Sequence, residues 1–321
     1  MLLDLVYVAL GLAGLFFGGN WLVLGASRVA SSLGVSALVI GLTVVAFGTS
    51  TPELLVSVGA ALRGEPEIAI GNVVGSNIAN IGLILGVSGL ITAIPVHVTL
   101  IRREMPIALS AAVLLFVLAL DGSIGALDGL LLVGGIIAFT SLLIVSARRE
   151  RVDKQEEQLM AEVEGITGPI NRWLELGRLL VGLVVLLVGA NLLVEGAVSI
   201  ARDLQVPEVV IGLTLVAVGT SLPELVTAII AARRKETEIL VGNVVGSNIF
   251  NILMILGVTS LVFPVPVSDS VQRVDIPIMI GFSLLLLPFA LNRVLSKRES
   301  VFILIGYLVY VVAAFTIFQR A

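Results

Sequence analysis

Residues 41–54 read GLTVVAFGTSTPEL, and residues 212–225 read GLTLVAVGTSLPEL, so that 11 of the 14 positions are identical. A second pair of blocks, GNVVGSNIANIGLILG at 71–86 and GNVVGSNIFNILMILG at 242–257, shares 13 of its 16 positions. Both pairs are separated by the same offset of 171 residues. A constant offset over two separated blocks indicates that a whole half of the chain has been duplicated.

The chain around these blocks is strongly apolar: 58% of its 321 residues are hydrophobic and only 13% are charged. Soluble domains are roughly a quarter charged, and several apolar stretches here exceed the roughly 18 residues that mark a membrane span. The composition therefore predicts an all-α integral membrane protein. The first apolar stretch lacks a basic n-region and a small-residue cleavage pattern, so we interpret it as a retained helix. The absence of cysteine excludes disulfide and thiolate chemistry.

We predict ten transmembrane helices, five in each half of the chain. They are expected near residues 3–27, 34–62, 67–92, 104–120, 126–147, 174–200, 206–232, 238–264, 275–292 and 300–318. Because five is odd, the second half enters the membrane from the opposite side. This predicts two inverted-topology repeats, 1–147 with its motif at 41–86 and 173–321 with its motif at 212–257, a plan common among secondary transporters. The charge-rich segment 148–172 between them is interpreted as a solvated linker that can be partly helical.

Basic residues predict the orientation of the chain in the membrane. If the N-terminus lies outside, 15 of the 19 Lys and Arg residues fall on the cytoplasmic side, since only Arg63, Arg202, Arg273 and Arg320 fall on the other. We therefore expect a multi-pass protein of the cell (inner) membrane, with both termini outside and the 148–172 linker in the cytoplasm.

Each half places one glutamate, Glu53 or Glu224, deep inside an apolar span. A charge at mid-membrane costs at least about 3 kcal/mol, and no Lys or Arg lies within the repeat blocks to offset it. Thr49 and Thr220 stand four residues before these glutamates, which places each pair on one helix face. A protonated glutamate buried in a core is the alternative, but the recurrence of the carboxylate in both halves favours an ion ligand.

A proline precedes each glutamate, at Pro52 and Pro223. Proline has no N–H, so the carbonyls of Gly48 and Gly219 lose their helical partners. The sequence Gly-Thr-Ser-X-Pro-Glu therefore predicts a broken helix with carbonyl oxygens beside a carboxylate. Irregular backbone at membrane depth is tolerated only where protein or a polar cavity covers it.

A stripe of polar residues spaced by four follows in each half. Its members are Asn72, Ser76 and Asn80 in the first half and Asn243, Ser247 and Asn251 in the second. Ser and Asn often bond neighbouring helices in membranes; we expect that packing role at Asn72 and Asn243, and ion ligation at the other four. Gly71 with Gly75, and Gly242 with Gly246, form G-x-x-x-G pairs that favour close helix approach.

The candidate ligands are all oxygen atoms, from carboxylate, hydroxyl, amide and carbonyl groups. The single histidine, His97, lies outside both blocks. Hard oxygen ligands suit Na⁺, Ca²⁺ and Mg²⁺, and a cage of carbonyls and carboxylates fits Ca²⁺ better than Mg²⁺. Two ionised glutamates are neutralised by one Ca²⁺ or by two Na⁺. Because an empty ionised site is costly in low dielectric, the protein should switch sides only when loaded. Protons can also neutralise the pair, so the residues alone leave the coupling ion open.

These blocks resemble the two alpha-repeats of the cation/calcium exchanger superfamily, specifically those of its sodium/calcium exchanger branch. The resemblance rests on G-T-S-x-P-E and G-S-N-I-x-N in each half, and the five-plus-five layout extends it over essentially the whole chain. The proton-coupled branch typically carries a Gly-Asn-Ala-x-Glu-type motif, which this chain lacks at Glu53 and Glu224.

The resemblance implies a cluster of ion sites where the repeats meet, with no cofactor. Glu53 and Glu224 would share Ca²⁺. The other implied ligands are Thr49 and Thr220, with backbone oxygens there and at Ala46 and Ala217, for Ca²⁺; Ser50, Ser76, Ser221 and Ser247 for Na⁺; and Asn80 and Asn251 lining the centre. Some members carry aspartate where this chain has Asn251, so the ion stoichiometry stays open. The 148–172 linker is too short for the calcium-sensing domains of animal members, and we expect no such regulation.

The favoured function is a Na⁺/Ca²⁺ antiporter that works by alternating access. A proton-coupled or K⁺-dependent cation exchanger is the alternative, and a cation channel fits inverted repeats less well. An enzyme is not expected, because no nucleophile–base pair and no His or Cys metal motif is present. The expected partners are the transported cations and the lipid bilayer, without nucleic acid; the oligomeric state is open, and a monomer is compatible. Glu195 has Leu24 as its counterpart, so a packing or snorkelling role is expected there.

Overall fold

The computed structural model describes residues 2–162, 171–206 and 217–318, which are almost entirely helical. The helices in these residues are α1 (Leu2–Leu33), α2 (Ala37–Thr49), α3 (Thr51–Leu62), α4 (Glu67–Ile91), α5 (Leu100–Asp121), α6 (Ala126–Glu162), α7 (Arg172–Asp203), α8 (Ala217–Thr220), α9 (Leu222–Arg234), α10 (Thr237–Val262), α11 (Val271–Asp275, continued by Ile276–Leu291) and α12 (Lys297–Phe318). The all-α prediction is confirmed. Helix α6 continues into the predicted linker as far as Glu162, and residues 163–170 of that linker lie outside the described part.

Membrane spans are evident from length and composition. Seven helices in the described residues are long and apolar enough to cross a bilayer, and the bent pair α2–α3 counts as an eighth if taken as one span. The two remaining predicted spans, 206–232 and 300–318, contain α8–α9 and α12; part of the first lies outside the described residues. The chain is a multi-pass integral membrane protein.

Four two-residue strands lie in loops between the described helices: β1 (Ile94–Pro95), β2 (Ser123–Ile124), β3 (Val265–Pro266) and β4 (Val294–Leu295). Strand β1 pairs antiparallel with β4, and β2 pairs antiparallel with β3. Shifting β1 and β2 by 171 residues gives β3 and β4, so one pairing is the repeat image of the other. The duplication seen in the sequence is thus matched by a two-fold relation in the backbone.

The helices pack into two compact units, neither of which follows a half of the sequence. The first unit consists of Met1–Pro52, Ile137–Ala231 and Glu238–Asn243. The second unit consists of Glu53–Ile136, Ala232–Thr237 and Val244–Ala321. Each unit therefore takes segments from both halves, although the two repeats are continuous in sequence.

In the first unit, α1 and α7 lie antiparallel in backbone contact. Glycine recurs every seven residues on both helices, at Gly11, Gly18 and Gly25 and at Gly182, Gly189 and Gly196. A Cβ at Gly11 would lie 2.6 Å from the backbone N of Leu193, and one at Gly25 would lie 2.6 Å from the backbone N of Leu179. Small residues let helices approach closely enough for van der Waals packing to hold them in a membrane, where no hydrophobic force drives association.

An ion-pair cluster joins one end of the same helix pair. Glu175 on α7 is buried, with a side chain only 4% exposed, and it accepts from Arg28 of α1 at 2.9 Å and from Arg178 of α7. Helix α7 begins next to it with an N-cap, because the side chain of Asn171 accepts from the backbone N–H groups of Trp173 and Leu174. A buried carboxylate needs such partners, since an unpaired charge there is strongly destabilising.

In the second unit, a glycine of one helix packs against a serine of another at two helix crossings. A Cβ at Gly89 of α4 would clash with the Ser300 hydroxyl of α12, and a Cβ at Gly129 of α6 would lie 2.5 Å from the Ser260 hydroxyl of α10. Gly89 and Ser260 are repeat counterparts, as are Gly129 and Ser300. Each crossing therefore holds one glycine and one serine, with the roles exchanged between the halves.

Candidate cation-binding site

Each half contains a helix break at the serine of the Gly-Thr-Ser-X-Pro-Glu motif. Helix α2 ends at Thr49 and α3 begins at Thr51, with a bend of 41° across Ser50. In the second half, α8 ends at Thr220 and α9 begins at Leu222, so Ser221 is the interrupted residue. The predicted break is confirmed in both halves, and its cause is the proline that follows, which removes a helical N–H.

The first unit brings the break of one half to the carboxylate of the other. The Ser50 hydroxyl donates to Oε1 of Glu224 at 3.3 Å. The Thr49 hydroxyl lies 3.1 Å from Oδ1 of Asn243, to which it donates, and 3.5 Å from the carbonyl of Ala46. Glu224 is only 1% exposed, and its second oxygen, Oε2, has no hydrogen-bond partner among the described residues.

An acceptor oxygen without a partner has an energetic consequence. A buried polar atom left without a hydrogen bond costs about 1–3 kcal/mol, and more if it is charged. No described residue offsets that cost at Glu224 Oε2, whereas a proton or a cation beside it would. Within the described residues, no three side chains of His, Cys, Asp or Glu form a cluster. A cation held here would therefore take most of its ligands from neutral oxygens.

Glu53 lies in the first turn of α3, belongs to the second unit and is also 1% exposed. Its carbonyl accepts from Nδ2 of Asn72 at 3.2 Å, and the same nitrogen lies 3.0 Å from the Ser57 hydroxyl. Asn72 thus ties α4 to α3, as the packing role predicted for it requires.

The counterpart of Asn72, Asn243, is bonded differently. Ala228 stands where the first half has Ser57. Asn243 Nδ2 has no partner in the described part of the chain, and its Oδ1 accepts from Thr49 instead. Ala228 cannot supply the hydroxyl that Ser57 offers to Asn72, so one of the bonds of Asn72 has no counterpart at Asn243.

The stripe residues after Asn72 and Asn243, namely Ser76 and Asn80 on α4 and Ser247 and Asn251 on α10, lie in the second unit. Asn80 and Asn251 are each 1% exposed, and the side-chain oxygen of each is buried with no partner among the residues described. Ser247 is fully buried and its hydroxyl is likewise unpaired, whereas Ser76 is 6% exposed. These oxygens are acceptors of the kind that hard cations bind.

Two asparagines in this group were missed by sequence reasoning. Asn77 and Asn248 are buried and bond to the side chains of Asn251 and Asn80, respectively. Their recurrence at the 171-residue offset, next to Ser76 and Ser247, is a signal that could have identified them.

π-Helical turns accompany the polar stripe. One begins at Asn80 (Asn80–Leu85) and its repeat image begins at Asn251 (Asn251–Leu256). A second such pair opens α5 (Leu100–Glu104) and α11 (Val271–Asp275). π-Helical turns are rare and occur frequently at functional sites. These turns could not be predicted, because no residue pattern distinguishes a π-helical turn from ordinary α-helix.

The predicted site residues are divided between the two units. The first unit contains Ala46, Thr49, Ser50, Ala217, Thr220, Ser221 and Glu224. The second unit contains Glu53, Ser76, Asn80, Ser247 and Asn251. Residues 207–216, which precede Ala217, lie outside the described part. Glu195, which was not expected to be a ligand, is exposed on α7.

A family model described as "Sodium/calcium exchanger protein" matches the chain twice, over residues 3–145 and 174–316. The two matches begin and end 171 residues apart. Among individual proteins, the chain is 37% identical to the sodium/calcium exchanger MaX1 of Methanosarcina acetivorans, over 98% of this chain and 99% of that one. It is 33% identical to the inner membrane protein YrbG of Escherichia coli, over 97% and 96% of the two chains.

Solved structures give the same relation. A structure of the sodium-calcium exchanger NCX_Mj, soaked with zero Na⁺ and Ca²⁺, is 35% identical to the chain and matches it with a TM-score of 0.85. The match covers 98% of this chain and 99% of the other.

Proposed function

The chain belongs to the sodium/calcium exchanger protein family, and we propose that it exchanges Na⁺ for Ca²⁺ across the membrane by alternating access. As a member of this family it is a transporter rather than an enzyme. One observation carries the proposal: a helix break at Ser50 or Ser221 precedes a buried glutamate in each half, and one oxygen of Glu224 lacks a partner in the described chain. That oxygen is an acceptor for a cation.

Glu53 and Glu224 each supply a carboxylate to Ca²⁺ in this proposal. The ground for pairing them is the repeat symmetry of the sequence together with the family resemblance. Thr49, Thr220 and the carbonyls of Ala46 and Ala217 complete the Ca²⁺ ligands. The Na⁺ ligands are Ser50, Ser76, Ser221 and Ser247, with Asn80 and Asn251 between. The Ser50–Glu224 hydrogen bond supports this assignment, because a hydroxyl that donates to the carboxylate still offers its lone pairs to a cation.

Two similar halves of opposite orientation are a common structural basis for alternating access. We propose ten spanning helices in two inverted repeats, 1–147 and 173–321. The strand pairs support this count: in a ten-span chain the loops holding β1 and β4 lie on one side of the membrane, and those holding β2 and β3 lie on the other. The basic residues support an orientation with both termini outside and the linker in the cytoplasm.

Flux measurements on purified protein in liposomes test the proposal. An outward Na⁺ gradient alone should drive uptake of ⁴⁵Ca²⁺, and collapse of that gradient should stop it. Uptake that ignores Na⁺ but follows a pH gradient would identify a proton/cation exchanger instead. Uptake that also requires K⁺ on the side from which Ca²⁺ is taken up would identify a K⁺-dependent exchanger. Downhill Ca²⁺ flux without any countertransported ion would identify a channel.

A further inference from the structure

Four buried asparagines of the second unit bond to one another in a crossed arrangement. Nδ2 of Asn251 donates to Oδ1 of Asn77 at 3.1 Å, and Nδ2 of Asn80 donates to Oδ1 of Asn248 at 2.9 Å. The two pairs are repeat images, since each residue of one is 171 positions from a residue of the other. Each pair joins α4 to α10.

The direction of the first pair is fixed by a backbone carbonyl. Nδ2 of Asn77 donates to the carbonyl of Asn248 at 3.3 Å and lies 3.6 Å from the sulfur of Met279. A carbonyl can only accept, so the amide of Asn77 must turn its NH₂ group toward it. The Asn77 oxygen then faces Asn251 and requires a donor there.

This constraint reaches the candidate ligand. Because Asn251 must present its NH₂ group to Asn77, its own oxygen points away. That oxygen is buried and without a partner in the described chain. The oxygen of Asn80 is also buried and without a partner in the described chain, while the NH₂ group of Asn80 donates to Asn248. Asn251 therefore presents an oxygen, rather than an NH₂ group, to whatever occupies the space beside it, and the repeat symmetry gives Asn80 the same orientation.

Amide orientation decides whether a cation can bind. The two ends of an asparagine side chain have nearly the same shape, but one is an acceptor and the other carries two donor hydrogens. A hard cation binds the oxygen end and is repelled by the NH₂ end. A neutral amide ligand consequently needs a neighbour that fixes its orientation, whereas a carboxylate, with two equivalent oxygens, does not.

We propose that Asn77 and Asn248 are positioning residues that hold the amides of Asn251 and Asn80 with their oxygens toward the transported cation. They act through their partners and are not ligands themselves. The proposal rests on the proposed function in one respect, that a cation binds at Asn80 and Asn251. Its analogue in metalloproteins is the outer partner that orients a ligand and tunes its affinity.

Equilibrium ⁴⁵Ca²⁺ binding to the purified full chain, with Na⁺ competition, tests it through a cycle of variants. Asn77→Leu removes the acceptor that orients Asn251 and should weaken Ca²⁺ binding by about tenfold or more. Asn251→Asp replaces the amide with a carboxylate that needs no orientation. In that background the Asn77 oxygen faces a carboxylate rather than a donor, so Asn77→Leu should weaken Ca²⁺ binding by less than about threefold or strengthen it. A residue that merely maintains packing would cause the same loss in both backgrounds, and that result would overturn the proposal.

Two further comparisons keep the outcomes separate. If Asn77→Leu protein is not monodisperse, Asn77→Ala runs through the same cycle under the same criterion. Wild-type protein that binds neither Ca²⁺ nor Na⁺ would contradict the proposed function, and the positioning role with it. Wild-type binding followed by equal losses in both backgrounds would contradict the positioning role alone.

Discussion

The hydroxyl of Ser50 donates a hydrogen bond of 3.3 Å to Oε1 of Glu224, so the helix break of the first half contacts the carboxylate of the second. The two residues are 174 positions apart in the chain. The bond leaves Oε2 of Glu224 without a partner in the described chain, buried in a residue that is 1% exposed. The two copies of the duplicated sequence thus meet in this hydrogen bond, beside an oxygen that is available to a cation.

Replacement of Glu224 by glutamine should weaken Ca²⁺ binding by about tenfold or more, because the variant loses a charge that the divalent cation neutralises. Glutamine has the same size and its side-chain oxygen can still accept from Ser50, so folding should be retained. Equilibrium ⁴⁵Ca²⁺ binding measures the effect. Glu195→Gln is the matched control, since Glu195 is exposed on α7. Equal Ca²⁺ affinities for the two variants would show that Glu224 is not a Ca²⁺ ligand.

Replacement of Ser50 by alanine should act mainly on Na⁺. The hydroxyl is assigned to the Na⁺ ligands, and it also donates to Glu224. We expect the Na⁺ concentration that half-maximally drives Ca²⁺ release to rise by about three- to tenfold, the range that loss of one hydrogen bond or weak ligand produces. Ser141→Ala is the control, because the Ser141 hydroxyl donates to the backbone carbonyl of Ile137 within its own helix, on an exposed face. An unchanged Na⁺ dependence would argue against the assignment.

Several features of this site followed from the sequence. The breaks at Ser50 and Ser221 could be predicted because proline at a known position removes a specific N–H, which is a local effect. The burial of Glu53 and Glu224 could be predicted because each lies inside a long apolar stretch. The all-α membrane class followed from composition alone.

Other features could not be predicted, because they depend on contacts between distant segments. The orientation of the Asn251 amide is fixed by Asn77 of α4, whose own amide is held by the backbone carbonyl of Asn248. The bond from Asn72 to Ser57 has no counterpart at Asn243, because Ala228 stands in the place of Ser57, and this difference matters only once α3 and α4 are packed. The division into two units could not be predicted either, since each unit combines segments of both halves.

Close packing of α1 and α7 should make their glycines intolerant of side chains. Gly11→Leu places a branched side chain where a Cβ already lies 2.6 Å from the Leu193 backbone. Overpacking of this kind destabilises by about 1–3 kcal/mol or more, so thermal unfolding in detergent should shift to lower temperature. Gly134→Leu is the control, because no described atom lies within 4 Å of a Cβ at that exposed position. Equal melting temperatures for the two variants would contradict the packing.

The ion pairs of the buried Glu175 with Arg28 and Arg178 should contribute to the free energy of unfolding through the α1–α7 contact. Arg28→Gln removes a partner that is itself 48% exposed, so a loss of about 1 kcal/mol is expected after solvent screening. Combining it with Glu175→Gln should cost less than the sum of the single changes, since the buried charge is then gone. Chemical denaturation of the three variants measures the coupling. Strict additivity would mean that the ion pair does not contribute.

Calcium uptake into liposomes under an outward Na⁺ gradient, without a pH or K⁺ gradient, tests the central claim most directly. The claim is that one glutamate from each repeat binds the Ca²⁺ that Na⁺ exchanges for. Wild-type protein should accumulate ⁴⁵Ca²⁺ against its concentration gradient, and Glu53→Gln and Glu224→Gln should each abolish that accumulation. Wild-type accumulation that persists undiminished in either variant, or that occurs without the Na⁺ gradient, would contradict the account.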